Sequence, residues 1–156
     1  MHNISLFLFI IVLSICTNAK ISLLNIQECK IDKEGTFKYI QIYIKNIKNP
    51  LDNLIIIRGS VKHSTHADIY YSFINEIENK YSHSLYNTYS FRPIGGGYIK
   101  ITSNTIYIYG TSGTYGQCNH VLTSEKIRNY FNSKYYIFNF TNLDSYYNNN
   151  NYYYEE

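Results

Sequence analysis

The chain has 156 residues, of which 45% are hydrophobic and 16% are charged, and its formal net charge is +3. This is enough apolar material to bury one core, so disorder throughout the chain is excluded, but the chain is short for two ordinary domains. The lysines and arginines are scattered, which argues against the concentrated positive field of a nucleic-acid-binding protein. The sequence therefore predicts one small domain that does not bind nucleic acid.

The first residues differ in character from the rest. An uncharged apolar run, Leu6–Cys16, precedes Thr17-Asn18-Ala19, where small residues stand at the positions that signal peptidase requires. The run is shorter than the roughly 20 apolar residues of a comfortable membrane span. We therefore predict a signal peptide at 1–19, a secretory location and no stable membrane insertion after cleavage. Because Met1-His2-Asn3 lacks the usual Lys or Arg, an uncleaved anchor and a misassigned start, which would leave a cytoplasmic protein, are the alternatives.

A glycosylation sequon and the cysteines bear on the same compartment. Asn139-Phe140-Thr141 is a sequon that only a protein in the secretory lumen can use. Cys29 and Cys118 are the cysteines left after cleavage, and neither belongs to a CxxC pair or to a Cys/His ligand spacing. We predict that both are free thiols, with a disulfide between them as the alternative, and we predict no metal site.

Residues 20–141 are predicted to form the folded domain, and the domain begins with strands. Ile21–Glu28 is a short apolar segment that suits an edge strand, and Thr36–Lys45 carries isoleucines at every second position. Leu54–Arg58 is a continuous apolar run that ends in a charge, which is typical of a strand covered on both faces.

A helix is predicted directly after these strands. Ser64 and Thr65 followed by Asp68 supply an N-cap and an acidic partner, and apolar residues recur at helical spacing from Ile69 onward. His66 therefore falls in the first turn of this helix.

The second half alternates strands, glycines and one more helix. Segments Phe91–Ile94 and Tyr98–Thr102 flank three glycines, and a turn at Ser103-Asn104 leads into Thr105–Tyr109 as a hairpin. Beyond the hairpin we predict a loop at Gly110–Gly116, a short helix at Thr123–Phe131 capped by its threonine, a last strand at Lys134–Phe140 and a disordered tail over 142–156. These elements predict an α/β (α+β) fold with a single mixed sheet of about six strands flanked by two helices.

His66 is the first candidate for chemistry. The positive end of a helix disfavours an imidazolium, so a histidine in this position stays neutral near physiological pH. A neutral imidazole can accept a proton from water or attack phosphorus directly. The structural alternative is that His66 is a second helix-capping group.

The loop Gly110–Gly116 is the second candidate. It carries three glycines, Ser112 and two threonines, so its backbone amides can converge on an anion. No Gly-Lys-Ser/Thr follows, which excludes a Walker A loop, and a plain turn is the alternative. Taken alone, Lys38 and Arg58 are most simply solvated surface charges.

Six short motifs together resemble the phosphohistidine phosphatase (Janus) family in order and spacing. The resemblance extends over residues 21–140 and rests on Glu34–Tyr39, Ile57–Gly59, His66–Tyr70, Gly95–Gly97, Ile108–Gly116 and Thr123–Ile127.

The resemblance implies a mixed sheet flanked by helices and no metal or organic cofactor, and we expect the protein to be a monomer. It also implies hydrolysis of the P–N bond of phosphohistidine in a protein or peptide, with phospholysine as a further substrate. His66 falls on the catalytic histidine of the family. The phosphate-binding positions fall on Lys38, Arg58, Ser112, Gly113 and Thr114.

One departure from the family concerns the phosphate site. The family usually has Arg directly after the triple glycine, and this chain has Tyr98, which cannot replace a planar bidentate clamp. Arg92 or Lys100 are the candidates to compensate. The departure favours, as the alternative function, a catalytically impaired secreted module that binds phosphate or a phosphoprotein, and a non-enzymatic Janus-like role is a third interpretation.

Overall fold

The computed structural model describes residues 25–81, 83–132 and 134–139. The predicted signal peptide (1–19) and the predicted tail (142–156) lie outside the described residues. No helix within the described ranges is both long and apolar enough to cross a membrane.

The described elements follow one another as strands, a helix, a hairpin and a second helix. The strands are β1 (Cys29–Ile31), β2 (Gly35–Asn46), β3 (Asn53–Gly59), β4 (Tyr89–Ile101), β5 (Thr105–Tyr109) and β6 (Tyr136–Asn139). The α-helices are α1 (His66–Lys80) and α2 (His120–Tyr130), and a 3₁₀ helix covers His83–Asn87.

The strands form a single six-stranded sheet in the order β1-β3-β2-β4-β5-β6. The pairs at the two edges, β1 with β3 and β5 with β6, are parallel, whereas β2 pairs with β3 and β4, and β4 with β5, in antiparallel fashion. The predicted α+β fold with one mixed sheet and two helices is therefore confirmed.

The two helices cover opposite faces of the sheet. α1 buries an apolar stripe against Ile40 and its neighbours on the same face of β2, while Ile127 of α2 packs with Tyr39, which points the other way. The α1 stripe consists of Ile69, Phe73 and Ile77. Because side chains alternate along a strand, β2 contributes to both cores.

Local signals place the start of α1 where the sequence predicts it. Thr65 is the N-cap, its hydroxyl accepts a hydrogen bond from the Asp68 amide, and the Asp68 carboxylate accepts one from the Thr65 amide. This reciprocal capping box satisfies amides that the helix leaves unpaired, and it makes His66 the first residue of the helix.

Two predicted boundaries are wrong. The first described strand is Cys29–Ile31, and residues 25–28 of the predicted strand Ile21–Glu28 are not extended, because Asn25, with a φ of 37°, is in the left-handed region. Residues 21–24 lie outside the described residues. The second helix begins at His120 and not at Thr123, because the Asn119 side chain accepts the Leu122 amide and acts as the N-cap. Cys29 and Cys118 are free thiols, as predicted.

Candidate active site

His66 lies at the start of α1 against the glycines of β4. A side chain at Gly96 would put its Cβ 2.9 Å from Cδ2 of His66, so the absence of one lets the ring approach the strand. His66 is only 5% exposed, and its Nε2 lies 2.9 Å from the Gly97 carbonyl oxygen. Since a carbonyl can only accept, Nε2 carries the proton and donates it.

The other nitrogen of His66 is the one available for chemistry. Burial lowers the pKa of His66 from 6.5; the hydrogen bond to Gly97 opposes this, and the nearby charge of Lys38 lowers the pKa further. The ring is therefore neutral at physiological pH, with a lone pair on Nδ1. Within the described residues Nδ1 has no hydrogen-bond partner, and it is not among the fully enclosed unpartnered atoms.

Lys38 brings a positive charge close to His66. It pairs with Tyr98 across β2 and β4, and its ammonium group lies 5.5 Å from the centre of the Tyr98 ring. Its Nζ donates to the Ser64 carbonyl at 2.8 Å, in the turn that leads into α1. The ammonium is thus held beside the start of the helix that carries His66, which agrees with its effect on the pKa of His66.

Tyr98 forms a wall of the site. Its ring meets the His66 ring edge-on with centroids 5.8 Å apart and stacks on Tyr109 at 5.7 Å. The ring also lies 3.0 Å from the place where a Cβ at Gly110 would be, so it touches the start of the following loop. An aromatic ring therefore occupies the position where the family resemblance implies a guanidinium.

The loop Gly110–Gly116 lies against Tyr98 and Gly96, which both contact His66. Its last carbonyl, that of Gly116, accepts the Gly96 amide at 3.0 Å, which fastens the loop beside the glycines under His66. Ser112 is 2% exposed, and its Oγ accepts the amides of Thr114 and Tyr115 at 3.3 and 3.1 Å. The Ser112 hydroxyl therefore shapes the loop from inside, while Gly113 and Thr114 are exposed at its tip.

Arg58 lies apart from these groups. It pairs with Ile40, which in turn pairs with Gly96, so strand β2 lies between Arg58 and the glycines under His66. Its guanidinium carbon lies 5.4 Å from the centre of the Phe73 ring in α1. The structure brings His66, Lys38 and the loop together and packs Arg58 elsewhere on the same face.

The surroundings of Arg58 form a separate cleft of about 400 Å³ between β1, β3 and α1. Arg58 is 4% exposed and burial lowers the pKa of its guanidinium, whereas Glu76 and Cys29 raise it. Nη1 donates to the Ile57 carbonyl, but Nε and Nη2 have no hydrogen-bond partner within the described residues. Buried donors normally have a hydrogen-bond partner, so an anion or a water molecule could accept hydrogen bonds from Nε and Nη2 of Arg58.

Sequence reasoning missed His120, which mirrors His66 on the other face of the sheet. It begins α2, is 5% exposed, and its Nε2 lies 2.9 Å from the Gly110 carbonyl oxygen. The signal that identified His66, an N-cap residue directly before a histidine, also occurs at Asn119-His120. No three His, Cys, Asp or Glu side chains within the described ranges are grouped so that they could hold a metal ion.

These features define a small α+β domain with a histidine-centred site at the glycines of its central β4 strand. The model of the Janus/Ocnus family (Ocnus) matches residues 23–135, and the chain belongs to this family. The chain is 31% identical over 116 residues to the 14 kDa phosphohistidine phosphatase of Sus scrofa, which covers 70% of this chain and 86% of that protein. It is 28% identical over 109 residues to the 14 kDa phosphohistidine phosphatase of Homo sapiens, with coverages of 66% and 82%.

Proposed function

We propose that the protein is a protein phosphohistidine phosphatase that hydrolyses the P–N bond without a metal ion, with phospholysine as a further substrate. The observation that carries the proposal is the state of His66, a neutral ring whose Nε2–H is bound to the Gly97 carbonyl and whose Nδ1 has no hydrogen-bond partner within the described residues. Membership of a family with relatives named phosphohistidine phosphatases supports it.

In the proposed reaction His66 acts as a general base. Nδ1 takes a proton from water while the water oxygen bonds to phosphorus, and the P–N bond breaks with its electron pair passing to the departing nitrogen of the substrate imidazole. That nitrogen is then protonated, and inorganic phosphate leaves. In the second route Nδ1 attacks phosphorus directly and the substrate nitrogen leaves with the electron pair of the P–N bond; water then hydrolyses the new P–N bond on His66 and releases phosphate. In both routes the protein chiefly positions the phosphoryl group and balances its charge.

The proposed phosphate-binding groups are Lys38, Arg58 and Ser112–Thr114. Lys38 is supported by its place beside Tyr98 and His66. Gly113 and Thr114 are supported by their exposure at the tip of a loop whose last carbonyl, that of Gly116, accepts the Gly96 amide. Ser112 supports binding through the loop shape that its buried hydroxyl maintains. Arg58 stays a prediction that rests on its two unpartnered nitrogens, since its guanidinium packs on Phe73.

The decisive experiment is an assay of phosphate release from a phosphohistidine peptide by the purified protein, with a phosphoserine peptide of the same sequence as control. We expect multiple turnovers on the phosphohistidine peptide and none on the control. Release no faster than the spontaneous hydrolysis of the P–N bond would overturn the proposal.

A second candidate function is a secreted module that binds phosphate or a phosphoprotein and has lost turnover. Tyr98 favours it, because a stacked ring stands where a planar phosphate clamp would otherwise be. Saturable binding of inorganic phosphate by a protein that hydrolyses no phosphohistidine would identify this function.

We further propose that the protein is secreted as a monomer after cleavage behind Ala19. The support is the apolar run Leu6–Cys16 followed by small residues, together with the sequon at Asn139. N-terminal sequencing of the secreted protein should begin at Lys20, and light scattering should give the mass of one chain. A cytosolic protein that retains Met1 would contradict this.

A further inference from the structure

The face of the sheet opposite His66 holds a chain of buried polar side chains that ends at the loop Gly110–Gly116. Gln41 Nε2 donates to Thr123 Oγ1 at 2.8 Å, and Thr123 Oγ1 lies 3.4 Å from the Tyr39 hydroxyl. That hydroxyl lies 2.6 Å from Nδ1 of His120, and Nε2 of His120 lies 2.9 Å from the Gly110 carbonyl oxygen.

The donor and acceptor roles of these side chains follow from the Gly110 carbonyl, at which the series of hydrogen bonds ends. The Gly110 carbonyl can only accept, so Nε2 of His120 carries a proton. Burial lowers the pKa of His120, opposed by the hydrogen bond to Gly110, so the ring is neutral and Nδ1 must accept. The Tyr39 hydroxyl, which burial keeps protonated by raising its pKa well above the ordinary value, is then the donor to Nδ1. The two bonds from Tyr39 to His120 and from His120 to Gly110 therefore run in one direction, and hydrogen bonds aligned in this way strengthen one another. The Thr123 hydroxyl has two acceptors within reach, the Tyr39 hydroxyl and the Asn119 carbonyl oxygen.

Gly110 is the point at which this chain acts on the site. Its φ of 71° turns the backbone out of β5 into the loop, and one side of it lies against the Tyr98 ring. The hydrogen bond from His120 holds its carbonyl from the opposite side. The peptide plane that starts the loop is thus clamped between a ring of the His66 site and a ring of the other face, which sets the direction in which the loop leaves the sheet.

We propose that His120, oriented by Tyr39, is a positioning residue that fixes the Gly110 carbonyl and thereby the shape of the phosphate-binding loop. The proposal rests on the proposed function for the role of the loop, but the clamp itself is a property of the fold. His120 takes no part in proton transfer to substrate, because both of its nitrogens are occupied and it lies on the face away from His66.

The test compares two replacements of His120 in the full-length protein. His120→Gln can still donate to Gly110 and accept from Tyr39, whereas His120→Phe keeps the ring but loses both bonds. Inorganic phosphate is the probe for affinity, and hydrogen exchange of the Gly116 amide, which donates to the Ser112 carbonyl at 2.8 Å, reports the loop shape. The amide of Ile56 in β3 serves as the core reference.

We expect His120→Phe to weaken phosphate binding and to accelerate exchange at Gly116 relative to Ile56, each by about five- to tenfold, as expected for one buried hydrogen bond. His120→Gln should restore both to within about threefold of the wild type. If the protein hydrolyses phosphohistidine, kcat of His120→Gln should stay near the wild-type value, which a proton-transfer role for His120 would not allow.

Tyr39→Phe removes only the hydroxyl that orients His120 and should move the same two quantities in the same direction. Its matched control is Tyr89→Phe, which removes the hydroxyl of another buried tyrosine, at the opposite end of β4 from the loop. Should His120→Phe fail to fold, Tyr39→Phe and His120→Gln provide the test.

Unchanged exchange at Gly116 in His120→Phe and Tyr39→Phe would overturn the proposal, and so would a His120→Gln variant as impaired as His120→Phe. Both measurements are independent of turnover, so a wild type that clamps its loop but releases no phosphate from phosphohistidine would refute the proposed function and leave the positioning role standing.

Discussion

His66 and His120 are the same chemical group in nearly the same setting on two faces of one sheet. Each begins a helix behind an N-cap residue, each is 5% exposed, and each places Nε2 2.9 Å from the carbonyl oxygen of a glycine. They differ at Nδ1. In His120 this atom lies 2.6 Å from the Tyr39 hydroxyl, whereas in His66 it has no partner within the described residues.

This difference teaches that burial and a lowered pKa do not distinguish a reactive histidine from a structural one. Burial lowers the pKa of both rings, and both are neutral at physiological pH. What separates them is whether the second nitrogen is free and what lies beside it. Lys38 lies beside His66, while the buried polar groups Tyr39 and Cys118 surround His120.

The largest expected effect is the difference in activity between two single variants, His66→Gln and His120→Gln. His66→Gln keeps a donor for Gly97 but offers no basic nitrogen, so phosphohistidine hydrolysis should fall by on the order of a thousandfold, within the range typical of a lost general base. His120→Gln should retain most of its activity. Initial rates on a phosphohistidine peptide measure the activity of both variants, and circular dichroism verifies that they fold. Equal losses of activity in the two variants would contradict the assignment of His66 as reactive and His120 as structural.

A second prediction concerns Tyr98, whose ring contacts the His66 ring. Tyr98→Arg should tighten binding of inorganic phosphate by about ten- to a hundredfold, the value of one charged hydrogen bond of about 1.5–3 kcal/mol. Inhibition by phosphate, and the Michaelis constant, give the measurement.

Lys100→Ala and Arg92→Ala accompany this test, because either of these cationic side chains could already replace the arginine that is missing at position 98. Lys100 is on the same face as Tyr98 and pairs with Tyr107, whereas Arg92 pairs with Tyr43 beyond the glycines. An unchanged phosphate affinity in Tyr98→Arg together with a severe loss in Lys100→Ala would identify Lys100 as the substitute clamp.

A third prediction uses Lys38, whose charge acts on His66. Removing this charge in Lys38→Met should raise the pKa of His66, because a protonated ring would no longer face a neighbouring ammonium. The acid limb of the kcat/KM profile should therefore move to higher pH, and phosphate affinity should fall by about tenfold. Lys45→Met, on the same strand near its far end, is the matched control. An acid limb that does not move would show that the profile reports a group other than His66.

The smallest expected effect is on the pH dependence of folding stability. Both histidines have a lower pKa in the folded than in the unfolded protein, so below a pH of about 6.5 the unfolded chain binds more protons. Folding stability should therefore fall as the pH drops from about 7.5 to about 5.5, above the range in which carboxyl groups titrate. Urea midpoints at these two pH values should differ less in His120→Gln than in the wild type. An equal difference would show that the pKa of His120 is the same in the folded and the unfolded protein.

The sequence alone predicts the parts of this comparison that depend on neighbouring residues. Thr65 and Asp68 form a capping box within one turn, so the helix start and the place of His66 follow from local pattern. The turn at Ser103-Asn104 likewise predicts the β4–β5 hairpin, because its bonds close over a few residues.

The rest depends on contacts between distant residues. Both Asn119 and Thr123 are good capping residues by type, but Thr123 is engaged by Gln41, which is 82 positions away, and only Asn119 caps α2. The setting of Arg58 is decided by Phe73 of α1, which no spacing near Arg58 reveals. The role of His120 cannot be predicted from the sequence for the same reason, because it depends on hydrogen bonds to both Tyr39 and Gly110.

The bare backbone at Gly96 and Gly97 limits how this domain can vary. A methyl group at Gly96 would come within 2.5 Å of the Tyr39 carbonyl oxygen, and one at Gly97 within 2.6 Å of that of Tyr109. Even alanine is therefore too large at either position, and it would also press on a histidine ring, that of His66 from Gly96 and that of His120 from Gly97. Substitutions meant to change the proposed phosphate site therefore have to leave Gly96 and Gly97 unchanged and alter the side chains beside them, such as Tyr98.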